Sequence, residues 1–232
     1  MAYDKVVDST VLENGLTQIA AAIRAKTGTN GTLTFPSGFV SAVEGLSGGG
    51  ATEPYIEETY DANGKLINAV MHGYTKVRKW CFFMSDLVSI QLPPTVTSLE
   101  EGAFNNSLSL QSIQLPDAIT EIGNSAFSLC QNLATIQFSS SLITIGSSAF
   151  DACLFTSLRL PAGLQTIKAR AFNHNPVLTT VTFQGTPTSI VSTAFSLCNK
   201  LTTINVPWAE GAVANAPWGA TNATIHYNVS GV

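Results

Sequence analysis

The dipeptide Ala-Phe recurs along this chain, ending at Phe104, Phe127, Phe150, Phe172 and Phe195 with spacings of 23, 23, 22 and 23 residues, and Trp218 stands another 23 on. A period of that length restricts the fold severely. One such unit cannot bury its own large apolar side chains, so it must stack against copies of itself. Aligned on the Phe, each unit reads Leu-x-x-Ile-x-Leu-Pro, then an apolar pair three apart, then Ala-Phe-x-x-Cys or a small polar residue.

The first segment begins at Leu87, Leu110, Leu133, Phe155, Leu178 and Leu201 and alternates apolar with polar residues, which is strand periodicity. Its inward positions are Ile90/Leu92, Ile113/Leu115, Ile136/Phe138, Leu158/Leu160, Val181/Phe183 and Ile204/Val206. A second apolar pair follows as Val96/Leu99, Ile119/Ile122, Leu142/Ile145, Leu164/Ile167 and a weaker Pro187/Ile190. Pro93, Pro116, Pro161 and Pro207 come just after the first strand, where a missing N–H costs least.

These units resemble the leucine-rich repeats of the BspA-like family, found mainly in bacteria and some protozoan parasites, over about Val77 to Tyr227. The resemblance implies a solenoid of short parallel strands in rungs of about 23 residues, spaced about 4.8 Å apart. The expected class is therefore a leucine-rich-repeat solenoid, β-rich α+β, with a small N-terminal helical segment. Relatives of this kind are associated with attachment to host matrix proteins and to other bacteria.

A solenoid needs closed ends. Residues 55–86 are read as an N-terminal hairpin cap, turning at Asn63-Gly64, followed by a degenerate first rung made by Val77 and the Trp80–Met84 segment. The solenoid with its C-terminal cap occupies 87–228, where Trp208 and Trp218 are expected to act as a lid and Ala223–Asn228 supplies a last strand.

Residues 1–46 differ in kind. Thr10-Val11-Leu12-Glu13 has the pattern of a helix capping box, and Leu12, Leu16, Ile19 and Ile23 then follow helical spacing. A unit this small with one apolar stripe is marginal alone, so those four residues are expected to mediate homo-oligomerisation. Residues 47–54 are Gly-rich and read as a flexible linker. Leu16–Gly28 with Leu33–Phe39 is similar to the N-terminal piece of tail-associated proteins in prophages of gut Firmicutes, which implies a virion-associated attachment role.

Composition removes several functions. Eleven Lys/Arg against 15 Asp/Glu leave a net charge of -4, and the 11% charged content lies well under the roughly 25% usual for soluble domains. Nucleic-acid binding is not expected, because the one basic cluster, Lys76-Val77-Arg78-Lys79, reads as a solvated loop. No apolar stretch reaches the ~18 residues of a membrane span, and neither a signal peptide nor an anchor is visible. The protein is thus expected in a virion or at an extracellular cell surface, without membrane insertion.

The 48 Ser and Thr carry the surface polarity instead. His72, His174 and His226 fall far apart on a rod, Glu100-Glu101 sits in a surface turn, and no catalytic fingerprint is present, so no enzyme, cofactor or metal is expected. Cys130, Cys153 and Cys198 share one column with Ser107 and Asn175, read as a ladder of small buried thiols, with a Cys130–Cys153 disulfide as the alternative.

What remains is one strand face. Its outward residues form two polar ladders, Ser89/Ser112/Thr135/Ser157/Thr180/Thr203 and Gln91/Gln114/Gln137/Arg159/Thr182/Asn205. These are the candidate binding residues for a protein or glycan on a cell surface, with Arg159 breaking the uncharged run near Lys168 and Arg170.

Overall fold

The computed structural model describes residues 54–231, which belong to the second of two units of the chain, Glu53–Val232. The expected helical segment 1–46, with Leu12, Leu16, Ile19 and Ile23, and linker residues 47–53 lie outside the described residues. Within them the chain is all strand and turn, with no helix.

The chain opens with β1 (Tyr55–Tyr60) and β2 (Leu66–His72), an antiparallel hairpin. Its turn is wider than the Asn63-Gly64 pair alone. The Gly64 N–H donates to the Asp61 carbonyl at 3.0 Å, Asp61 N–H to Lys65 O at 2.9 Å, and the Asp61 carboxylate accepts from Asn63 and Lys65. Gly64 takes φ +78, the left-handed value such a turn requires.

Two strand series then alternate. The second-segment series is β3 (Lys76–Val77), β5 (Ser98–Leu99), β7 (Glu121–Ile122), β9 (Thr144–Ile145), β11 (Thr166–Ile167) and β13 (Ser189–Ile190), one parallel six-stranded sheet. The first-segment series is β4 (Ser89–Gln91), β6 (Ser112–Gln114), β8 (Thr135–Gln137), β10 (Ser157–Leu160), β12 (Thr180–Phe183) and β14 (Thr203–Asn205), closed by β15 (Thr224–His226). The Lys76–Lys79 cluster is thus not simply a loop: its first two residues form the terminal strand of the six-stranded sheet, because Val77 is an inward position of the first rung.

The repeat Phe column runs through the buried core of the stack. Phe82, Phe104, Phe127, Phe150, Phe172 and Phe195 are buried and stack with centroids 5.0–5.3 Å apart and planes within 9° of parallel. Each ring removed from water is worth roughly 1.5–3 kcal/mol, and each ring pair about 0.5–1.5 more. Of the degenerate first rung, only Val77 and Phe82 enter the core. Trp80, Phe83 and Met84 stay exposed.

The same backbone exchange links every rung in this third segment. Phe104 N–H donates to Ala126 O, Phe127 to Ala149, Phe150 to Ala171 and Phe172 to Ala194, at 2.7–2.8 Å. In the last rung the acceptor for Phe195 is Trp218 O at 2.9 Å. Trp218 therefore holds the backbone slot of the repeat Ala, although its spacing matches the Phe. Its ring packs against Phe183 and Trp208, at 6.0 and 6.4 Å between centroids, and both tryptophans are buried as a lid over the final rung.

The Cys column has a defined role. The side chains of Ser107, Cys130, Cys153, Asn175 and Cys198 donate to the carbonyls of Phe82, Phe104, Phe127, Phe150 and Phe172, each one rung back, at 2.7–3.3 Å. All four cysteines are free thiols, so Cys130 and Cys153 are not bonded to each other.

Candidate functional site

The two outward ladders form as the alternation requires. Strand pairing sets Ser112 beside Thr135 and Gln114 beside Gln137, Ser157 beside Thr180 and Arg159 beside Thr182, and then Thr203 and Asn205 beyond. Ser89, Gln91, Ser112, Gln114, Thr135, Gln137, Ser157 and Arg159 are exposed. Thr180, Thr182, Thr203 and Asn205 are half-buried. The open part of the face is its N-terminal two thirds.

The ladders extend further than the repeat alignment places them. The N-terminal hairpin adds Asn68 beside Ser89 and Val70 beside Gln91, and the last strand adds Thr224 and His226 beside Thr203 and Asn205. The alternation within β2 and β15 was the available signal. Side-chain bonds tie parts of the face together: Ser89 Oγ donates to Asn68 Oδ1 at 2.9 Å, and Asn205 Nδ2 to Thr182 Oγ1 at 3.3 Å. Arg159 is tied down as well. With the Gln184 carboxamide oxygen turned toward it, that oxygen accepts from both Nε and Nη2 at 3.3 Å.

The face is not one sheet. It divides into β1-β2-β4, β6-β8 and β10-β12-β14-β15, with no ladder between β4 and β6 or between β8 and β10. Gln184 shows what is missing: its N–H donates one rung back to Leu160 at 3.0 Å. Pro116 and Pro161, at the corresponding position after β6 and β10, have no N–H to give, but Pro93 and Pro207 lack it too while β2-β4 and β12-β14 stay paired, so a proline alone does not open a seam. The second seam also coincides with the 22-residue spacing between Phe150 and Phe172.

At the first seam the two glutamines meet an opening. Ile90, Gln91, Leu92, Pro94, Gln114 and Pro116 line a cleft of about 460 Å³. None of these six is charged. The cleft offers two carboxamides above a floor of Ile90 and Leu92, with proline rings at its side, which suits a neutral, hydrogen-bonding ligand group. Gln91 and Gln114 are thereby brought to one site, while Arg159 sits on the far side of the second seam.

The remaining titratable groups stay apart. His72 stacks on Tyr55 in the hairpin with its Nε2 at 3.7 Å from Glu57, His174 occupies a left-handed turn, and His226 ends the last strand. Glu100 and Glu101 pair with Lys76 and Lys79 at 3.8 and 3.0 Å. Among the described residues no group of three His, Cys, Asp or Glu is placed to hold a metal ion.

Comparison with known proteins agrees with this geometry. Solved structures of similar fold include a leucine-rich repeat protein from Bacteroides ovatus (25% identity, TM-score 0.54, 66% of this chain and 46% of that one). Another is a leucine rich cell surface protein from Faecalibacterium prausnitzii (25% identity, TM-score 0.51, 76% of this chain and 42% of that one). The leucine rich repeat protein of T. pallidum, at 22% identity and TM-score 0.53 over 66% of this chain and 82% of that one, shares the fold. This chain spans less than half the length of the Bacteroides and Faecalibacterium proteins. Curated proteins gave no match. The family described as the BspA type leucine rich repeat region matches residues 59–178 and 97–212, in six copies. With its stacked Phe column, paired strand series and this match across most of the described residues, the chain belongs to the BspA-type leucine-rich-repeat family.

Proposed function

We propose that this protein is a non-enzymatic recognition module that binds a protein or glycan on a cell surface through its uncharged strand face. The observation that carries the reading is the cleft at the seam between β4 and β6, where Gln91 and Gln114 stand over Ile90 and Leu92. Carboxamides both donate and accept, so they recognise neutral polar groups without charge steering. The neighbouring Ser112, Thr135 and Gln137 extend the same chemistry along the face. A single cleft of this size gives weak affinity, which homo-oligomerisation through residues 1–46 would raise by avidity.

Two settings fit this activity. Display on a bacterial surface is supported by the family and by the printed description of the Faecalibacterium protein as a cell surface protein. Display on a phage or prophage tail is motivated by the sequence of residues 16–39. Tail genes beside this gene would favour the second, and a wall-anchoring system the first.

The test of the site is the double substitution Gln91→Ala, Gln114→Ala, with Arg159→Ala made separately. Binding of the purified protein to whole bacterial cells and to a glycan array should fall at least tenfold in the double variant with the melting temperature unchanged. Full retention of binding would remove the cleft as the site. Light scattering on a chain lacking residues 1–46 should give a monomer mass, and an unchanged mass would refute oligomerisation through that segment.

A further inference from the structure

The two ends of the solenoid are not equivalent. At the C-terminal end Asn215 Nδ2 reaches the Ile190 carbonyl at 3.5 Å, and Trp208 and Trp218 cover the last rung. At the N-terminal end β3 is the outermost strand of its sheet, and no strand among the described residues pairs with its outer side.

The inter-rung bonding pattern says which groups that edge presents. In later rungs Gly123 N–H donates back to Leu99 O and Gly146 N–H to Ile122 O, at 2.8 Å. The equivalent donor in the first rung is Arg78 N–H, and it has no rung behind it. Forward bonds run from Trp80 N–H to Glu101 O, from Phe82 to Ala103 and from Met84 to Asn105, at 2.8–3.1 Å. The corresponding acceptors in the first rung are the carbonyls of Lys79, Cys81 and Phe83, which have no partner among the described residues. Among the described residues this edge is a rung template with no strand paired to it.

Beside it lies an open concavity of about 610 Å³, walled by Lys76, Arg78 and Cys81 on the edge, by Ile56 and Met71 of the hairpin and by Glu100, whose carboxylate is paired with Lys76. Trp80, at 46% exposure, Phe83 at 47% and Met84 at 62% are exposed apolar side chains of the same rung, the Trp80 ring lying over Gly102 of the following rung. A lysine on an edge strand often only blocks pairing, and that role does not call for a flanking groove or exposed aromatics.

Charge decides what the edge takes. On its inner side β3 already adjoins a segment carrying Glu100 and Glu101, which pair with Lys76 and Lys79. Arg78 has no carboxylate within ion-pair distance among the described residues. A second copy docked about a twofold axis would run antiparallel and set Lys76 and Arg78 against the same residues of its mate, which repels. A head-to-tail copy would need an open C-terminal edge, and that edge is lidded. We infer that the outer edge of β3 is a docking site for an extended acidic segment of another protein, which adds as a parallel strand, places a carboxylate on Arg78 and an apolar side chain against Met71.

The probe is a synthetic peptide with the sequence of this chain's own Ser98–Asn105, which forms this very rung contact on the inner side of β3. Its control is the same peptide with Glu100→Lys and Glu101→Lys. Titrated into the full chain, the acidic peptide should bind saturably, alter the fluorescence of exposed Trp80 and shift the backbone amide resonances of Arg78, Cys81 and Phe83. The control should bind at least tenfold more weakly, and Arg78→Glu should reverse that preference with the melting temperature retained. Equal binding of both peptides, no shift at those amides, or a concentration-dependent dimer that the peptide dissociates would each overturn the proposal. Arg78→Glu leaves Gln91 and Gln114 untouched, so cell or glycan binding by the strand face is read separately in the same variant.

Discussion

Cys130 Sγ donates to the carbonyl of Phe104 across one rung at 3.0 Å, while Ser107 N–H occupies the other side of that oxygen at 3.1 Å. The thiol serves as the second donor to a buried carbonyl, a duty that a hydroxyl and an amide perform at Ser107 and Asn175. Cys153, which does the same for Phe127 at 3.3 Å, should therefore tolerate Ser better than Ala. Urea unfolding is expected to show a loss of about 1–2 kcal/mol for Cys153→Ala and less for Cys153→Ser. An alanine variant as stable as the serine variant would remove the hydrogen bond from the account.

Burial also fixes how these thiols titrate. Desolvation pushes Cys130 up to about 12 and Cys198 up to about 11, and Cys153 well above the ordinary thiol value of 9.0. A folded-state pKa above the unfolded one means that the stabilisation is complete below about pH 9 and is lost as pH rises toward the folded values. Unfolding free energy should thus decline between about pH 9 and pH 12. The decline should be shallower in Cys130→Ser, Cys198→Ser than in the unaltered chain, and parallel curves would contradict it. A thiol reagent at neutral pH should modify Cys81 in the folded protein and all four cysteines only after denaturation.

The repeat made most of this architecture legible, and particular residues show where legibility ended. Phe104 through Phe195 could be placed from spacing alone, because a buried ring column demands one residue per rung. Trp218 kept the spacing and changed its slot, since slot is set by which carbonyl meets the Phe195 N–H. The abundant hydroxyls read as surface polarity, yet Thr179 and Thr188 donate to carbonyls 23 residues earlier, at 3.0 and 3.1 Å, and so stitch rungs together. Alternation gave the strand register of the ladder residues, which are exposed from Ser89 to Arg159 and half-buried from Thr180 to Asn205. The cleft beside Gln91 and Gln114 was not visible, because it arises from pairing that lapses between two strands. Lys76-Val77 read as loop because its partner, Ser98-Leu99, is 22 residues away.

The lid makes a separate prediction. Trp218 is fully buried and donates its indole N–H to Ala214 O at 2.7 Å. Trp218→Ala should cost about 3–5 kcal/mol at the last rung. In a stack whose rungs contact only their neighbours, the loss should be felt first at the adjacent end. Hydrogen exchange should accelerate at Phe195, Ile204 and Val206 while Phe104 and Phe127 retain their protection. Uniform acceleration along the whole solenoid would mean that it unfolds as one cooperative block.

Each turn also holds residues in left-handed backbone conformation that are not glycine, and they supply the last test. Leu129 and Leu197 occupy equivalent positions with φ +62 and +58, and both side chains are exposed. A β-carbon costs roughly 1–2 kcal/mol in this region, and Leu197, at 59% exposure, recovers little of it by burial. Leu197→Gly should therefore be neutral or stabilising by up to about 1 kcal/mol, the relief being offset in part by the greater freedom of glycine in the unfolded chain. Gly64, at φ +78 with open space around it, gives the converse: Gly64→Ala should destabilise by about 1 kcal/mol although its methyl group meets nothing. Opposite signs for the two substitutions in thermal unfolding would establish backbone conformation as the cause. Destabilisation by Leu197→Gly as large as that by Gly64→Ala would show instead that the exposed leucine column is held in place by contacts of its own.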